Sequence, residues 1–341
     1  MYYFTLYFDK NYLSRALALI HSLKKQKVEF KLFVLALDDF VFDFFCQNYT
    51  DCVVPIKLSE LEEHDKKLFD IKETRSKVEY YFTMTPCITR YVLDKFEFVD
   101  MITYLDADIY FYESPAEIFK EMKDNSIVVV SHHFSEKNKW LEVHGKYNVV
   151  FNTFKRDEEG LKVLDWWREK CIEWCYDKVD EEKSRFADQR YLDYFSTLSD
   201  KVYICENKGV NLAGFNVDNS EITTKKGKFY VDGNPLVFYH FHRLRALNKY
   251  LYMPYEKGKW GQMYLKKPLT TIYIKYIKVL KKYESKYAIE YQNSSRYKGE
   301  FPIKQTIITD YPLFVSKIMS RVLHLEKQYA FYGRVYNFLF R

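Results

Sequence analysis

Met101-Ile-Thr-Tyr-Leu-Asp-Ala-Asp-Ile-Tyr-Phe111 is an apolar run interrupted by two carboxylates. Its first five residues have the β-branched and aromatic content of a strand, and Asp106 and Asp108 stand at that strand's C-terminal end. Residues two apart on an extended chain point the same way, so both carboxylates can address one hard cation. Such a cation suits a diphosphate, whose charge it neutralises as the group departs. The competing reading is a solvated turn after a strand, where Asp is common.

Working outward, strands and helices alternate on both sides. Upstream, Tyr3–Phe8, Lys31–Leu37 and Val53–Ile56 read as strands, while Leu13–Leu23, Phe40–Cys46 and Val78–Leu93 carry apolar residues at helical spacing. Downstream, Ser126–Ser131 reads as a strand and Glu158–Tyr176 as a helix opened by an Asp157 cap. Val179–Lys183 is a solvated acidic loop, and short strands follow at Val202–Cys205, Lys228–Val231 and Leu236–His240. This alternation predicts an α/β fold with a mostly parallel central sheet, whose ligands bind at the carboxyl ends of its strands. After Met253-Pro254 the chain turns basic, aromatic and helical, which divides it into a catalytic domain over 1–253 and a helical extension over 254–341.

The 341 residues are 48% hydrophobic and 29% charged, which supports a sizeable core and excludes a disordered chain. With 10 Gly and 8 Pro, collagen-like and low-complexity classes are also excluded. The net charge of +6 is unevenly spread. Residues 243–341 hold 20 Lys and Arg against 6 Asp and Glu, whereas residues 1–242 hold 33 against 41. An acidic body with a basic tail predicts an anionic partner for the tail. Six cysteines without paired metal-ligand spacing fit a reduced compartment, with Cys171 and Cys175 read as core thiols. The opening residues read as a first strand rather than a signal peptide, and no apolar run reaches the ~18 residues of a spanning helix. A cytoplasmic location is expected, with peripheral attachment to the inner face of the cell membrane.

The order of several blocks resembles the GT-A type of nucleotide-sugar glycosyltransferase. Within it, the chain resembles glycosyltransferase family 8, which includes glycogenin and lipopolysaccharide galactosyltransferases. The resemblance spans roughly residues 1–245. Phe4-Thr-Leu-Tyr-Phe-Asp-Lys-Asn-Tyr-Leu-Ser is similar to the opening strand and loop around the nucleotide base. Tyr104-Leu-Asp-Ala-Asp is similar to the metal motif, and Gly145-Lys-Tyr-Asn-Val-Val-Phe-Asn to the block that contacts the transferred sugar. Ala187-Asp-Gln-Arg-Tyr-Leu is similar to the block near the anomeric carbon, and Phe238-Tyr-His-Phe-His to the late block whose histidine completes the metal shell. Val149-Val150 stands where the family has a small pair, and His240-Phe-His-Arg-Leu-Arg stands where it has Lys-Pro-Trp. Arg75 and Arg90 are candidates for the arginine that the family offers before the metal strand.

The resemblance implies a metal-dependent, UDP-linked and retaining sugar transfer to a glycan or lipid-linked acceptor in bacterial surface polysaccharide synthesis. Asp106, Asp108 and His240 become ligands of Mn²⁺ or Mg²⁺, with His242 beside them. Thr5 and Asp9 become contacts to the nucleotide, and Asn148, Asp188 and Gln189 contacts to the donor sugar. Arg243 and Arg245 suit bidentate contact with a diphosphate. If the reaction inverts configuration, Asp188, His132 or His133 is the candidate base. Each residue also has a bland reading: packed histidines, surface arginines, an Asp188 helix cap and core tryptophans at 166, 167 and 174.

Two other functions remain open to the sequence. A phosphatase-like hydrolase also places Asp-x-Asp after a strand, but expects a Thr or Val and a Gly-rich turn where Ile109-Tyr-Phe-Tyr stands. A catalytically silent membrane-binding protein on the same fold is the other. From Leu269 to Tyr287 the residues Tyr273, Tyr276, Ile277, Leu280, Tyr283 and Tyr287 form one helical face flanked by lysines. That face predicts attachment to an anionic membrane surface, with Pro312–Arg341 adding a second. Nucleic acid is not expected, since no binding motif accompanies the charge.

Overall fold

The computed structural model describes residues 1–246, 252–253 and 267–289. In chain order the first strands are β1 (Tyr2–Phe8), β2 (Phe30–Ala36), β3 (Val53–Lys57), β4 (Met101–Leu105) and β5 (Ile109–Phe111). They are followed by β6 (Ile127–Ser131), β7 (Tyr147–Lys155), β8 (Val202–Cys205), β9 (Leu212–Ala213) and β10 (Ile222–Lys225). The last are β11 (Lys228–Val231), β12 (Asn234–Pro235), β13 (Phe238–His240), β14 (Arg245–Ala246) and β15 (Tyr252–Met253). The helices are α1 (Leu13–Lys25), α2 (Asp39–Gln47), α3 (Leu58–His64), α4 (Lys66–Asp70) and α5 (Lys77–Lys95). After these come α6 (Ala116–Met122), α7 (Glu158–Glu173), α8 (Phe195–Leu198) and α9 (Lys267–Lys286).

A seven-stranded sheet runs in the order β3-β2-β1-β4-β7-β6-β8. The pairs β1–β2, β2–β3, β1–β4 and β6–β8 are parallel, so the expected α/β class with a mostly parallel sheet is observed. The sheet is buried on both faces, which explains why its strands read as continuous apolar runs. Its departure from expectation is β7, which the sequence reading did not mark as a strand. This nine-residue strand runs antiparallel to both β4 and β6 and lies between them in the sheet. It brings Val150 beside the metal motif, where the Asp106 amide donates to the Val150 carbonyl at 3.2 Å.

Helix starts follow their caps. The Asp157 carboxylate accepts from the Gly160 amide at the head of α7, and Ser76 and Glu79 form a capping box at the head of α5. The small sheet β5-β13-β9 stands at the carboxyl end of β4, with β13 antiparallel to β5 and in register His240 opposite Ile109.

Helix α9 corrects the membrane expectation for residues 269–287. Leu269, Ile272, Tyr273, Tyr276, Ile277 and Leu280 are buried in one cluster with residues of β5, β11, β13 and α1. Tyr283 is buried in the neighbouring core cluster that includes Leu17 and Ile20, and Tyr287 packs on Phe44. The four aliphatic members alone represent on the order of 10 kcal/mol of burial, which lipid could only match. The stripe therefore faces the protein, and Lys275, Lys278, Lys282 and Lys286 are left on the surface. The second expected surface, 312–341, lies outside the described residues, as does residue 254, where the extension was expected to begin. Among the described residues no helix is long and apolar enough to cross a membrane.

The ion pair between buried Asp65 and half-buried Arg168 ties α4 to α7. Arg168 Nε and Nη2 donate to the two Asp65 oxygens at 2.6 and 2.5 Å, and Asp65 also caps α4 through the Leu68 amide. Burial raises the Asp65 pKa, but the Arg168 bonds and the Leu68 amide override it and hold the value below the usual carboxylate range. A folded value below the unfolded one gives stability that is present above about pH 4 and lost as pH falls through the folded value. Arg168→Met should therefore cost roughly 3–5 kcal/mol at pH 7, with the deficit narrowing below about pH 4. Denaturant unfolding at the two pH values checks this, and a deficit that does not change with pH would contradict it.

Candidate metal centre and cleft

The two carboxylates and one histidine meet at the carboxyl end of β4. Asp106 and Asp108 leave the strand on alternate residues, and β13 carries His240 across from β5. One ligand atom from each of the three side chains lies within 4.8 Å of the others. His240 Nε2 stands 3.2 Å from Asp108 Oδ1 and 3.7 Å from Asp106 Oδ2. The amide of Phe241 donates to the Asp108 carbonyl at 2.9 Å, so the backbone itself locks the histidine segment onto the acidic turn.

The environment splits the two carboxylates. Burial raises Asp106, with His240 and the Tyr104 hydroxyl opposing and Asp108 adding to it, and its pKa comes to about 6. Burial also works to raise Asp108, but the charge and hydrogen bond of His240 reverse it and hold it at about 2. His240 loses protonation tendency through burial and more than regains it from Asp108, so its pKa is raised. Its Nδ1 is buried without a hydrogen-bond partner. Two carboxylate oxygens and one imidazole nitrogen are a donor set that fits Mn²⁺ or Mg²⁺.

Asp188 is brought to the same cleft. The Tyr104 hydroxyl donates to Asp106 Oδ1 at 3.1 Å, and the Tyr7 ring lies 5.8 Å from the Tyr104 ring. Burial raises both phenols, and the charges of Asp106 and Asp188 add to that in each. Asp188 itself is buried, follows the left-handed residue Ala187 (φ 45°), and lends its carbonyl to Trp167 Nε1 at 2.8 Å. Gln189 anchors the next turn through Nε2 to the His144 carbonyl at 3.0 Å. Gly145 suits that approach: its φ of +119° is strained for any side chain, and a Cβ there would stand a tight 3.2 Å from Arg190 Cα.

A ring cluster lines the other wall. His132 stacks on Phe134 at 4.4 Å, Phe215 stands edge-on to both, and His240 and His242 lie 6.3 Å from Phe215. Burial pushes the His132 pKa down to about 3, so this ring is neutral at pH 7.

No family model matches the chain. Bacillus subtilis (strain 168) has a relative, the uncharacterized protein YfnF, that is 32% identical over 251 residues, covering 71% of this chain and 82% of YfnF. The chain belongs to the YfnF family. Among solved structures it is similar to mouse xyloside xylosyltransferase 1 in its apo form, with a TM-score of 0.46, 10% identity, and coverage of 71% of this chain and 98% of that one. It is also similar to galactosyltransferase LgtC in complex with donor and acceptor sugar analogs, with a TM-score of 0.47, 14% identity, and coverage of 71% and 90%.

Several residues expected in the site have other occupations in this YfnF-family chain. Thr5 is fully buried inside β1, and its hydroxyl is bonded to the Phe33 carbonyl at 3.2 Å, so it does not reach the cleft. Strand alternation explains this, since Thr5 sits between the β2 and β4 backbones. Asp9 does lie at the carboxyl end of β1, where it caps a short turn through the Asn11 amide and sits 3.8 Å from Lys77. Asn148 engages both amide ends within the protein, donating to Asn211 Oδ1 and accepting from the Val150 amide, each at 3.2 Å. Arg75 is tied to Tyr176 and the Ile172 carbonyl, and Arg90 to Asp94 and Asp165, so neither serves the cleft. Arg243 adopts a left-handed backbone (φ 55°) beside His242, and the Arg245 side chain lies outside the description. His133 faces Glu206 at 3.6 Å, with Nε2 buried and without a partner.

The sequence reading missed three residues that build the site. Asn211 and Asn216 form an amide chain from Asn148 to the Ser131 and His132 carbonyls at 3.0 and 2.7 Å, which fixes the end of β6. Arg15 is buried on α1 and donates to the Leu244 carbonyl at 2.8 Å.

Two carboxylates held this close repel one another when no cation lies between them. Asp106→Asn should therefore leave the thermal midpoint in EDTA unchanged or raised, while wild type alone gains stability on adding Mn²⁺. Differential scanning fluorimetry reads both, and a variant that melts well below wild type in EDTA would contradict the repulsion.

Proposed function

We propose that the protein is a glycosyltransferase of the GT-A type that moves a sugar from a nucleotide-diphosphate donor, UDP-linked, to a hydroxyl of a glycan or lipid-linked acceptor. The observation that carries this reading is the convergence of Asp106, Asp108 and His240 at the carboxyl end of β4, with Asp188 near enough for its charge to act on the Tyr104 phenol that bonds Asp106. A cation held by the three would screen the diphosphate and stabilise it as a leaving group. Asp188 offers a carboxylate to a sugar hydroxyl or to positive charge developing at the anomeric carbon. Gln189, fixed through the His144 carbonyl, holds the Asp188 turn in place, and Asn148 acts through Asn211 on the end of β6.

Transfer with retention suits the surroundings. The acceptor hydroxyl attacks from the face the diphosphate leaves, and its proton passes to a departing phosphate oxygen, so no strong protein base is needed. His132, lowered to about 3 by burial, is a poor base at neutral pH, which supports retention over inversion. A phosphatase-like reading gains no support from strand β5, which begins directly after Asp108 and leaves no Gly-rich turn. An acceptor in surface polysaccharide synthesis fits a bacterial relative and the exposed lysines of α9, which offer charge to an anionic surface without an apolar face.

Screening UDP-, GDP- and CMP-sugars for metal-dependent hydrolysis by the purified protein tests the reading. A UDP-sugar should be hydrolysed only with Mn²⁺ or Mg²⁺. Asp108→Asn should lower that rate at least about 100-fold in a chain that still folds, since it removes a ligand charge at constant volume. Asp188→Ala should lower turnover more than it weakens UDP binding measured by calorimetry. Full wild-type activity in excess chelator, or equal large losses of UDP affinity in Asp188→Ala, would overturn these assignments.

A further inference from the structure

Helix α9 grips the residues on either side of His240. Ahead of the histidine, the Tyr239 hydroxyl is hydrogen-bonded to the Tyr273 hydroxyl at 3.0 Å, with both residues buried. Behind it, the Phe241 ring lies flat on Tyr276 at 3.7 Å and 7°, and edge-on to Tyr273 at 5.2 Å. The same Phe241 donates its amide to the Asp108 carbonyl. One residue thus links α9 to both the acidic turn and the histidine. Arg15, from α1, closes the segment by bonding the Leu244 carbonyl. Tyr276 is fully buried, and the charges of Arg15 and Asp108 both bear on its phenol, whose pKa burial raises.

We propose that Tyr276 and Arg15 are positioning residues of the Asp106–Asp108–His240 centre, with α9 as the element that holds the histidine segment in place for the cation. The proposal rests on the metal reading given above. Asp108 and Asp106 hang from β4 and are placed by the sheet. His240 comes from the three-residue middle strand of the small sheet, paired to β5 on one side and to the two-residue β9 on the other. Both flanking strands are short, and the contacts of Tyr239 and Phe241 with α9 add a rigid backing to the segment. Residues that orient a ligand without touching the ion set metal affinity by tens of fold. By linkage, an ion that needs the seated histidine also favours the docked helix.

The experiment uses the full chain and Mn²⁺ alone, with free Mn²⁺ read by electron paramagnetic resonance and stability read by melting in EDTA. Tyr276→Leu removes the stack, Arg15→Met removes the Leu244 tether, and Tyr276→Phe keeps the ring. Tyr283→Leu is the control, because Tyr283 is buried on the same helix but bonds His21, away from the centre. The expected result is an affinity loss of about tenfold or more in Tyr276→Leu and Arg15→Met. Tyr276→Phe should bind within about twofold of wild type, and Tyr283→Leu should melt lower yet bind within about twofold. Hydrogen exchange of wild type should show α9 amides gaining protection when Mn²⁺ is added, with α5 unchanged, and this holds as a test even if Tyr276→Leu does not fold. Wild-type Mn²⁺ binding with equal affinity in Tyr276→Leu and Arg15→Met, or with α9 protection unmoved by Mn²⁺, would overturn the proposal while leaving the metal site standing. Failure of wild type to bind Mn²⁺ would overturn the metal reading itself, and this proposal with it.

Discussion

The antiparallel pairing of β13 on β5 is the constraint on which the site depends. It sets His240 opposite Ile109, and the Phe241 amide then bonds the Asp108 carbonyl. Two segments more than 130 residues apart are thereby held by backbone geometry, before any side chain contributes. Antiparallel register is specific to the residue, because a slip of one would turn His240 to the opposite face of the strand. The chemistry of the site thus depends on a register of three residue pairs.

The packing around that pairing is unusually aromatic. Tyr239, Phe241, Tyr273 and Tyr276 form a continuous set of rings, and Phe111, Phe151 and Phe238 form another behind β5. Rings immobilise a segment at low conformational cost and bury large areas. The chain has 32 Tyr and 28 Phe, and these seven rings are spent as core. The cost falls on the polar atoms enclosed with it, such as His240 Nδ1, which stays unsatisfied. A site that keeps an unpaired buried nitrogen and two opposed carboxylates trades stability for binding capacity.

Much of the fold was legible because its signals are local. The strand β4 and the helix cap at Asp157 are read from neighbouring residues, and β4 and β8 have the bounds their apolar runs suggest. Strand β7 was not, because Asn148 and Asn152 interrupt its apolar run and only the tertiary fold buries both amides. Its antiparallel direction has no local signal at all. In the site, Asp106, Asp108 and His240 were legible from spacing and block order. Thr5 was misplaced because block order does not say which way a strand residue points. Arg15 was missed because one arginine in Leu13-Ser-Arg-Ala-Leu reads as the polar side of a helix, and only a carbonyl 229 positions away makes it a buried tether. The stripe of α9 was read correctly as a stripe, but periodicity cannot distinguish lipid from protein as its cover.

The central claim is that Asp106, Asp108 and His240 hold one divalent ion against a nucleotide diphosphate. Anomalous diffraction from crystals grown with Mn²⁺ and UDP tests it most directly. The account predicts a single strong manganese peak within coordination distance of all three side chains and of the UDP phosphates. UDP bound with no manganese among those three residues, or manganese bound elsewhere on the chain, would contradict it.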